Sequence, residues 1–317
     1  MELFRGINVD WLGKKWYFLG FSLIFSIAGI FSMLFWHGMP LGVDFKGGTL
    51  VYVKFDQPPP VDRIRQAADR AGIKDARIQT FGKSSDNTVI ISLPERDTSE
   101  ASLDAGRNAI VSALKQDSHI SGFQVINTEI VGPQVGAQLR KQALLATLYS
   151  LAGMLVYLWF RFELIYGVAA VVAVFHDTLI TLGAFSLANK EISLTVIAAI
   201  LTLIGYSMND TIVVFDRIRE NLRTMRRESL SEVVNRSINQ TLSRTILTSG
   251  LTFLTVLSLY LFGGEVLHDF SFALVIGILI GTYSSIAVAA PMLVAYQDWR
   301  ARRGKVAHLP AGKKARA

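Results

Sequence analysis

The sequence predicts a polytopic α-helical membrane protein with six transmembrane helices and a small α+β, ferredoxin-like domain between the first two. Of the 317 residues, 51% are hydrophobic and only 18% are charged, which is typical of membrane proteins. The apolar residues stand in long blocks, and a helix needs ~20 mainly apolar residues to cross the hydrocarbon layer. Six stretches meet or approach this length: residues 17–36, 142–160, 164–188, 194–215, 245–262 and 270–296.

The first apolar block is predicted to be a retained span. It follows basic residues, as a secretory signal would, but it is too long for the apolar region of such a signal and no small-residue cleavage site follows it. Trp16 and Trp36 mark its two edges as an aromatic belt would. The chain has no cysteine, and its histidines lack the spacing of metal ligands, so we expect no disulfide, metal site or other cofactor.

Basic residues predict the orientation in the membrane. On the side of both termini, 17 Lys and Arg stand against 8 Asp and Glu in residues 1–16, 161–163, 216–243 and 297–317. The short opposite loops, residues 189–193 and 263–269, hold one basic residue against three acidic ones. Because basic loops stay in the cytoplasm, we expect a cytoplasmic N-terminus at 1–16 and a basic cytoplasmic tail at 297–317. This topology explains the positive charge without a nucleic-acid partner.

Residues 37–141 are predicted to form one domain on the opposite, outer side of the membrane. Alternating apolar residues predict a strand at 48–56, and apolar residues at helical spacing predict a helix at 61–71. Strands are predicted at 76–81 and 88–93, on either side of turn residues 82–87, followed by a helix at 98–115 and a last strand at 123–131. The resulting order βαββαβ is that of the ferredoxin-like fold. No pairing of side chains in it is typical of catalysis, so we expect an interaction or moving-arm role and not an enzyme.

Four ionisable residues lie inside or at the edge of the predicted spans: His176, Asp177, Asp210 and Arg244. A charge there costs at least ~2.5–3.5 kcal/mol on insertion scales, so each is a functional hypothesis. Asp210 lies ~10 Å from the cytoplasmic end of its span and Asp177 ~20 Å from its own. Arg244 stands just inside the next span, where its long side chain is predicted to reach Asp210.

Staggered carboxylates with a nearby guanidinium suit proton movement, because burial and a neighbouring cation shift an aspartate in opposite directions. The alternative is structural: a static Asp210–Arg244 pair, or an aspartate bonded to Ser207 or Asn209, would hold helices together. Gly205 then serves either close helix packing or local unwinding. For Asp177, with His176 as its hydrogen-bond partner, the two interpretations are left equally open.

Three segments resemble a known family. Residues 42–48 read GVDFKGG at the membrane exit, with Gly42, Asp44, Gly47 and Gly48; residues 205–221 read GYSMNDTIVVFDRIREN; and residues 243–249 read SRTILTS. Together these resemble the SecF subunits of the bacterial Sec preprotein translocase, in the SecD/SecF family of the resistance-nodulation-division superfamily. The run Met208-Asn209-Asp210-Thr211 differs from the valine-aspartate-alanine-asparagine run typical of SecD.

The resemblance implies that the chain works with SecD, in the bacterial inner membrane, to complete preprotein translocation with the proton motive force after the SecA-driven step. It implies SecD, the SecYEG channel and YajC as partners, and a proton pathway through Asp210 and Arg244. Asp44 is expected to cap or position the first strand. Two alternatives are a proton-coupled small-molecule exporter, which would need a roomy apolar pocket, and a non-transporting assembly factor.

Overall fold

The computed structural model describes residues 8–73, 76–81, 86–94, 100–117, 119–120, 122–225 and 227–302. In chain order these residues form α1 (Lys15–Phe31), a π-helical turn (Ser32–Trp36), α2 (Val43–Lys46), β1 (Gly48–Phe55), α3 (Val61–Arg70), β2 (Arg77–Phe81), β3 (Thr88–Pro94), α4 (Glu100–Gln116), β4 (Phe123–Val131), α5 (Pro133–Arg161), α6 (Leu164–Leu187), α7 (Leu194–Thr224), α8 (Leu230–Phe262), α9 (Glu265–Ser284), a second π-helical turn (Ser285–Ala289) and α10 (Ala290–Arg302).

Six helical segments of the described chain are long and apolar enough to cross a membrane, so the predicted number of spans is confirmed. Several helices continue beyond their apolar block: α5 begins at Pro133 and not at residue 142, α7 ends at Thr224 and not at 215, and α8 begins at Leu230 and not at 245. An apolar block ends at the membrane surface, whereas a helix ends where its backbone is capped. Pro133 at the first turn of α5 and the capping box of Ser229 and Glu232 before α8 are such ends.

The domain that is predicted to lie on the outer side of the membrane, which we call the outer domain, has the predicted βαββαβ order. Its four strands form an antiparallel sheet in the order β2-β3-β1-β4, and β2 and β4 form its edges. One face of the sheet packs under α3 and α4 around side chains that are fully buried: Val53, Ile64, Ile91, Ile110 and Leu114. The predicted second helix began at residue 98, and residues 98 and 99 lie outside the described residues.

The centre of the membrane region is built from α6, α7 and the last span. Half of the apolar window of each of these three spans is buried, whereas only a small share of α1, α5 and α8 is. The outer faces of α1, α5 and α8 are therefore left to lipid or to a partner protein.

Two glycines set how closely α1 approaches α6. A Cβ built on Gly29 would lie 2.9 Å from the Cα of Gly183, and one built on Gly183 would lie 2.6 Å from the Cα of Gly29. Small residues are what allow membrane helices to approach to backbone contact. The position of α1 against the central helices therefore depends on this pair.

Replacing Gly29 by alanine is expected to destabilise the protein by about 1–3 kcal/mol, the usual cost of overpacking a close contact. The matched control is Gly20→Ala on the same helix, where an added Cβ meets nothing within 4 Å. That variant should be neutral or slightly stabilising, because alanine is the better helix former. Thermal unfolding in detergent measures both, and equal melting temperatures would contradict the packing argument.

Candidate functional site

The carboxylate of Asp177 joins three central helices at one point. Asp177 lies on α6 with 1% of its surface exposed. The hydroxyl of Ser207 on α7 donates to its Oδ2 atom at 2.6 Å, and the hydroxyl of Ser284 at the end of α9 donates to the same atom at 2.7 Å. A buried carboxylate needs such donors because water does not reach it.

His176 connects this carboxylate to the first span. Its Nδ1 atom lies 2.9 Å from Oδ1 of Asp177, and its Nε2 atom lies 2.8 Å from the hydroxyl of Ser22 on α1. The expected partnership of His176 with Asp177 is present. The contact with Ser22 extends it into a continuous hydrogen-bonded chain from α1 to α7 and α9.

Asp210 is the second buried carboxylate, with 2% of its surface exposed. The hydroxyl of Ser249 on α8 donates to its Oδ2 atom at 2.7 Å. Thr245, one turn earlier on α8, is also buried, and its hydroxyl has no hydrogen-bond partner in the described part of the chain. Asp210 thus contacts α8 through the hydroxyl of Ser249.

The predicted contact between Asp210 and Arg244 is not formed. Arg244 is exposed, and within the described residues no hydrogen bond or ion pair engages its guanidinium group; it acts on Asp210 only through longer-range attraction. The reason is helical geometry: Ser249 follows Arg244 by five residues, which places the two roughly 140° apart around α8. With Ser249 turned towards Asp210, Arg244 points elsewhere.

Asn209 and Gly205 do not line the buried site. Both are exposed, and a Cβ on Gly205 would meet nothing within 4 Å. They share an exposed face of α7 with three further small side chains, Thr195, Ala198 and Thr202. On the neighbouring α8 a similar face carries Arg244, Thr248, Leu251, Thr255 and Ser258.

The second π-helical turn begins beside the two carboxylates. Its first residue, Ser285, lies with its hydroxyl 3.0 Å from that of Thr211, one residue beyond Asp210. π-Helical turns are frequent at functional sites because they break the regular hydrogen-bond ladder. Sequence reasoning missed the serines 22, 249, 284 and 285. The available signal was the presence of hydroxyl groups inside apolar blocks, with Ser284 and Ser285 as a doublet.

A cavity of about 350 Å³ lies between α1, α8 and the last span. Its walls are almost entirely apolar and include Phe18, Phe253 and Tyr283, but Ser249 also lines it. The hydroxyl that binds Asp210 therefore stands between the carboxylate and this cavity.

The backbone conformation explains why the GVDFKGG segment ends in two glycines. Gly47 and Gly48 adopt φ angles of +81° and +140°, which side-chain-bearing residues rarely adopt. A Cβ on Gly47 would also lie 2.9 Å from the Cα of Pro133, at the start of α5. The pair thus allows the chain to turn from α2 into β1 while pressed against α5.

Asp44 does not cap the first strand. Its Oδ2 atom accepts a hydrogen bond at 2.8 Å from the backbone N–H of Leu194, the first residue of α7. The preceding Gly42 contacts the same region, because its N–H donates to the carbonyl of Ile192 at 2.9 Å. The membrane-exit segment is therefore attached to the outer end of the helix that carries Asp210.

Arg77 on β2 makes a second attachment to the loop before α7. Its side chain lies 3.4 Å from Glu191 and 3.5 Å from the amide oxygen of Asn189. Burial within the protein raises the pKa of Glu191 above its usual value, although the charge of Arg77 lowers it. Lys46 opposes the rise, and the acidic Asp269 and Asp44 add to it.

Comparison with known proteins agrees with this architecture. Residues 111–299 match the family model of the C-terminal region of the protein export membrane proteins SecD and SecF. Residues 34–59 match the model of the SecD/SecF GG motif, which includes Asp44 and both glycines.

SecF subunits of other organisms and solved SecDF structures are similar to the chain. The protein translocase subunit SecF of Koribacter versatilis is 58% identical over 97% of this chain and 96% of its own length. That of Calditerrivibrio nitroreducens is 45% identical over 93% and 96%. The crystal structure of SecDF, a translocon-associated membrane protein from Thermus thermophilus, matches with a TM-score of 0.80 and 37% identity over 92% of this chain. The chain spans only 39% of that SecDF protein.

Replacing Ser207 by alanine should destabilise the protein by about 1–3 kcal/mol, because the buried carboxylate of Asp177 loses a donor. Ser258→Ala is the control: its exposed hydroxyl donates to the carbonyl of Leu254 in its own helix, and its loss should cost less than about 0.5 kcal/mol. Thermal unfolding of the two variants in detergent checks the difference. A loss no larger for Ser207→Ala than for Ser258→Ala would mean that the Asp177 cluster does not hold these helices together.

Glu191 should make stability depend on pH. Because its pKa is raised in the folded state, the folded state binds more protons than the unfolded state between the ordinary pKa and the raised one. Stability is therefore expected to fall as pH rises through this window. Glu191→Gln should flatten the curve of melting temperature against pH there. An unchanged slope in Glu191→Gln would contradict this assignment.

Proposed function

The chain belongs to the SecD/SecF family and is a SecF-type accessory membrane subunit of the Sec translocase; from this we propose that it uses the proton motive force, together with SecD, to complete preprotein translocation after the ATP-driven step of SecA. It is a multi-pass membrane protein, and we place it in the bacterial inner membrane with both termini in the cytoplasm. The basic loops and tail on the side of the termini support this orientation. Its role is transport and not enzymatic catalysis.

One observation carries the proposal: among the described residues, the buried carboxylate of Asp210 has a single hydroxyl donor, and the guanidinium of Arg244, which attracts it, has no partner. Ionised carboxylates in a membrane interior are costly and usually functional. A protonated Asp210 would donate to a neighbouring hydroxyl, whereas an ionised one would attract Arg244, which no other group engages within the described chain. Proton uptake and release at Asp210 would therefore change how α7 and α8 pack.

His176 and Asp177 extend the proposed proton pathway. The chain of hydrogen bonds from Ser22 through His176 and Asp177 reaches Ser207, one turn from Asp210 on α7. Hydrogen-bonded hydroxyl, imidazole and carboxylate groups are the usual elements of proton relays in membrane proteins. We assign Asp210 and Arg244 to the switching step. The hydrogen-bonded groups from Ser22 to Ser207 are assigned to the proton path beyond Asp210.

SecD is the partner that we propose for the exposed faces of α7 and α8. These faces present small and hydroxyl-bearing side chains together with Arg244, a composition suited to contact between helices and unfavourable towards lipid. In the outer domain, β4 leaves one edge unpaired within the described sheet, and Ile126 and Ile130 on it are exposed. Such edges are normally covered. We further propose association with the SecYEG channel and YajC.

The two other functions have less support. A proton-coupled small-molecule exporter would use the cavity beside Ser249, but its volume is at the lower end of ligand pockets and the relatives are translocase subunits. A non-transporting assembly factor would need no switch, so its effect on export would not depend on the proton gradient.

Asp210→Asn should lower the proton-dependent part of preprotein export by at least about fivefold, since a coupling between sites usually corresponds to changes of roughly 5–150-fold. Asparagine fills nearly the same volume but cannot gain or lose the charge. The measurement compares export into membrane vesicles with an imposed and with a collapsed proton gradient.

Asp216→Asn is the matched control, because Asp216 lies on the same helix but pairs with Arg161 and Arg219 outside the apolar layer. It should retain the gradient effect, and co-purification with SecD checks that each variant assembles. Full gradient-dependent export in Asp210→Asn would rule out the proposed role. Equal loss with and without a gradient would favour the assembly factor.

A further inference from the structure

We propose that Asp44 is a positioning residue that attaches the outer domain to α7 and thereby transmits the state of Asp210 to that domain. This inference rests on the proposed function and adds the mechanical link that it requires. The GVDFKGG segment is one of the motifs of the sequence, yet none of its residues belongs to the proposed proton pathway.

The first step is the contact between Asp44 and the start of α7. The N–H groups of the first helical turn have no partners within the helix. Asp44 accepts from that of Leu194 at 2.8 Å, and Ser193 accepts from that of Val196 at 3.4 Å. A carboxylate at this end is also favoured by the helix dipole. Asp44 thus supplies a charged acceptor from a segment 150 residues away in sequence.

The second step is that Asp44 sits in a rigid segment. Its neighbours Val43 and Phe45 are buried, and Gly47 presses against the start of α5. Gly48 is the first residue of β1, which lies in the interior of the sheet between β3 and β4. The segment between the carboxylate of Asp44 and β1 is short and packed, so a movement of the outer end of α7 would be transmitted to the sheet.

The third step is that the loop before α7 is held at further points. The N–H of Ile192 donates to the carbonyl of Pro40 at 2.8 Å, and Arg77 of β2 pairs with Glu191 at 3.4 Å. Lys190 in the same loop pairs with Asp269 of α9 at 2.8 Å. The loop therefore joins the chain entering the domain, an edge strand of the sheet and the last span.

The connection along α7 is continuous. Asp210 follows Leu194 by roughly 24 Å of unbroken helix at 1.5 Å per residue, since α7 runs without a break from Leu194 to Thr224. A change in packing at Asp210 shifts or rotates the outer end of α7, where Asp44 holds it. Asp44 is not part of the proton pathway; it acts through α7.

A distance measurement tests this link independently of export. Because the chain has no cysteine, spin labels can be attached to Arg65→Cys on α3 and Ala188→Cys at the end of α6, both exposed. We expect Asp210→Asn to shift the distance between the labels by about 1–2 Å or more, the scale of helix movements in switching proteins. The shift should become smaller when Asp44→Ala is added, because the backbone bonds of Gly42 and Ile192 and the Arg77–Glu191 pair remain. It should be unchanged with Asp44→Asn, whose amide oxygen still accepts from Leu194.

Asp62→Ala is the control for loss of an outer-domain carboxylate, because Asp62 is exposed on α3 and pairs only with Arg65 in the described chain. The label already replaces that arginine, so Asp62→Ala breaks no further ion pair and should leave the shift unchanged. No shift in Asp210→Asn, or an undiminished shift after Asp44→Ala, would overturn the proposal.

Export then separates this proposal from the proposed function. Asp44→Ala should lower gradient-dependent export at least about fivefold more than export without a gradient, and Asp44→Asn should restore it. A merely structural role would lower both parts equally and would overturn the proposal. If export in the parent protein proves independent of the gradient, the proposed function fails, while the label distances still decide whether Asp44 links the domain to α7.

Discussion

Polar groups inside the hydrocarbon layer must find their partners within the protein, because lipid supplies none. This requirement shapes the centre of the bundle. Asp177 can be buried only because Ser207, Ser284 and His176 surround it, and those three groups come from its own helix and two others. Other hydroxyls, such as those of Thr178 and Thr202, donate to carbonyls four residues earlier in their own helices. The arrangement of the central helices follows from satisfying the buried carboxylates.

Sequence periodicity was sufficient for most of the fold. Long apolar blocks predict spans because only hydrophobicity and length matter for crossing a membrane. Alternation predicts the first strand of the outer domain and turn residues delimit the next two, and β4 lies at the predicted bounds. Helix ends were less predictable, since α5 and α8 continue in polar sequence where capping, not hydrophobicity, decides the end.

The individual contacts of the site were harder to predict. Burial cost identifies Asp177 and Asp210 from sequence, but which neighbour each one faces depends on how the helices rotate about their axes. That rotation is set by packing, for example by Gly281, where an added Cβ would lie 3.0 Å from the Cβ of Ser207. Arg244 was predicted as the partner of Asp210 because the two lie at similar depth in the membrane. The rotation of α8 about its axis instead turns Ser249 towards Asp210. The partner of Asp44 is equally a product of tertiary structure.

The two carboxylates differ in the number of groups that hold them, and this difference decides which one can act as the switch. Asp177 has two serine donors and a histidine. These bonds keep it in place while protons pass along them, and moving it away would leave several buried groups without partners, at about 1–3 kcal/mol each. Within the described residues, Asp210 has one serine donor, and Arg244, which attracts it, has no other partner. One turn from Ser249, Thr245 has an unpaired hydroxyl. Groups that could become alternative partners of the Asp210 carboxylate are therefore already present. Asp177 binds α7 through Ser207, and Asp210 lies on α7. The contact at Asp177 can therefore stay in place while a change at Asp210 alters how α7 packs against α8.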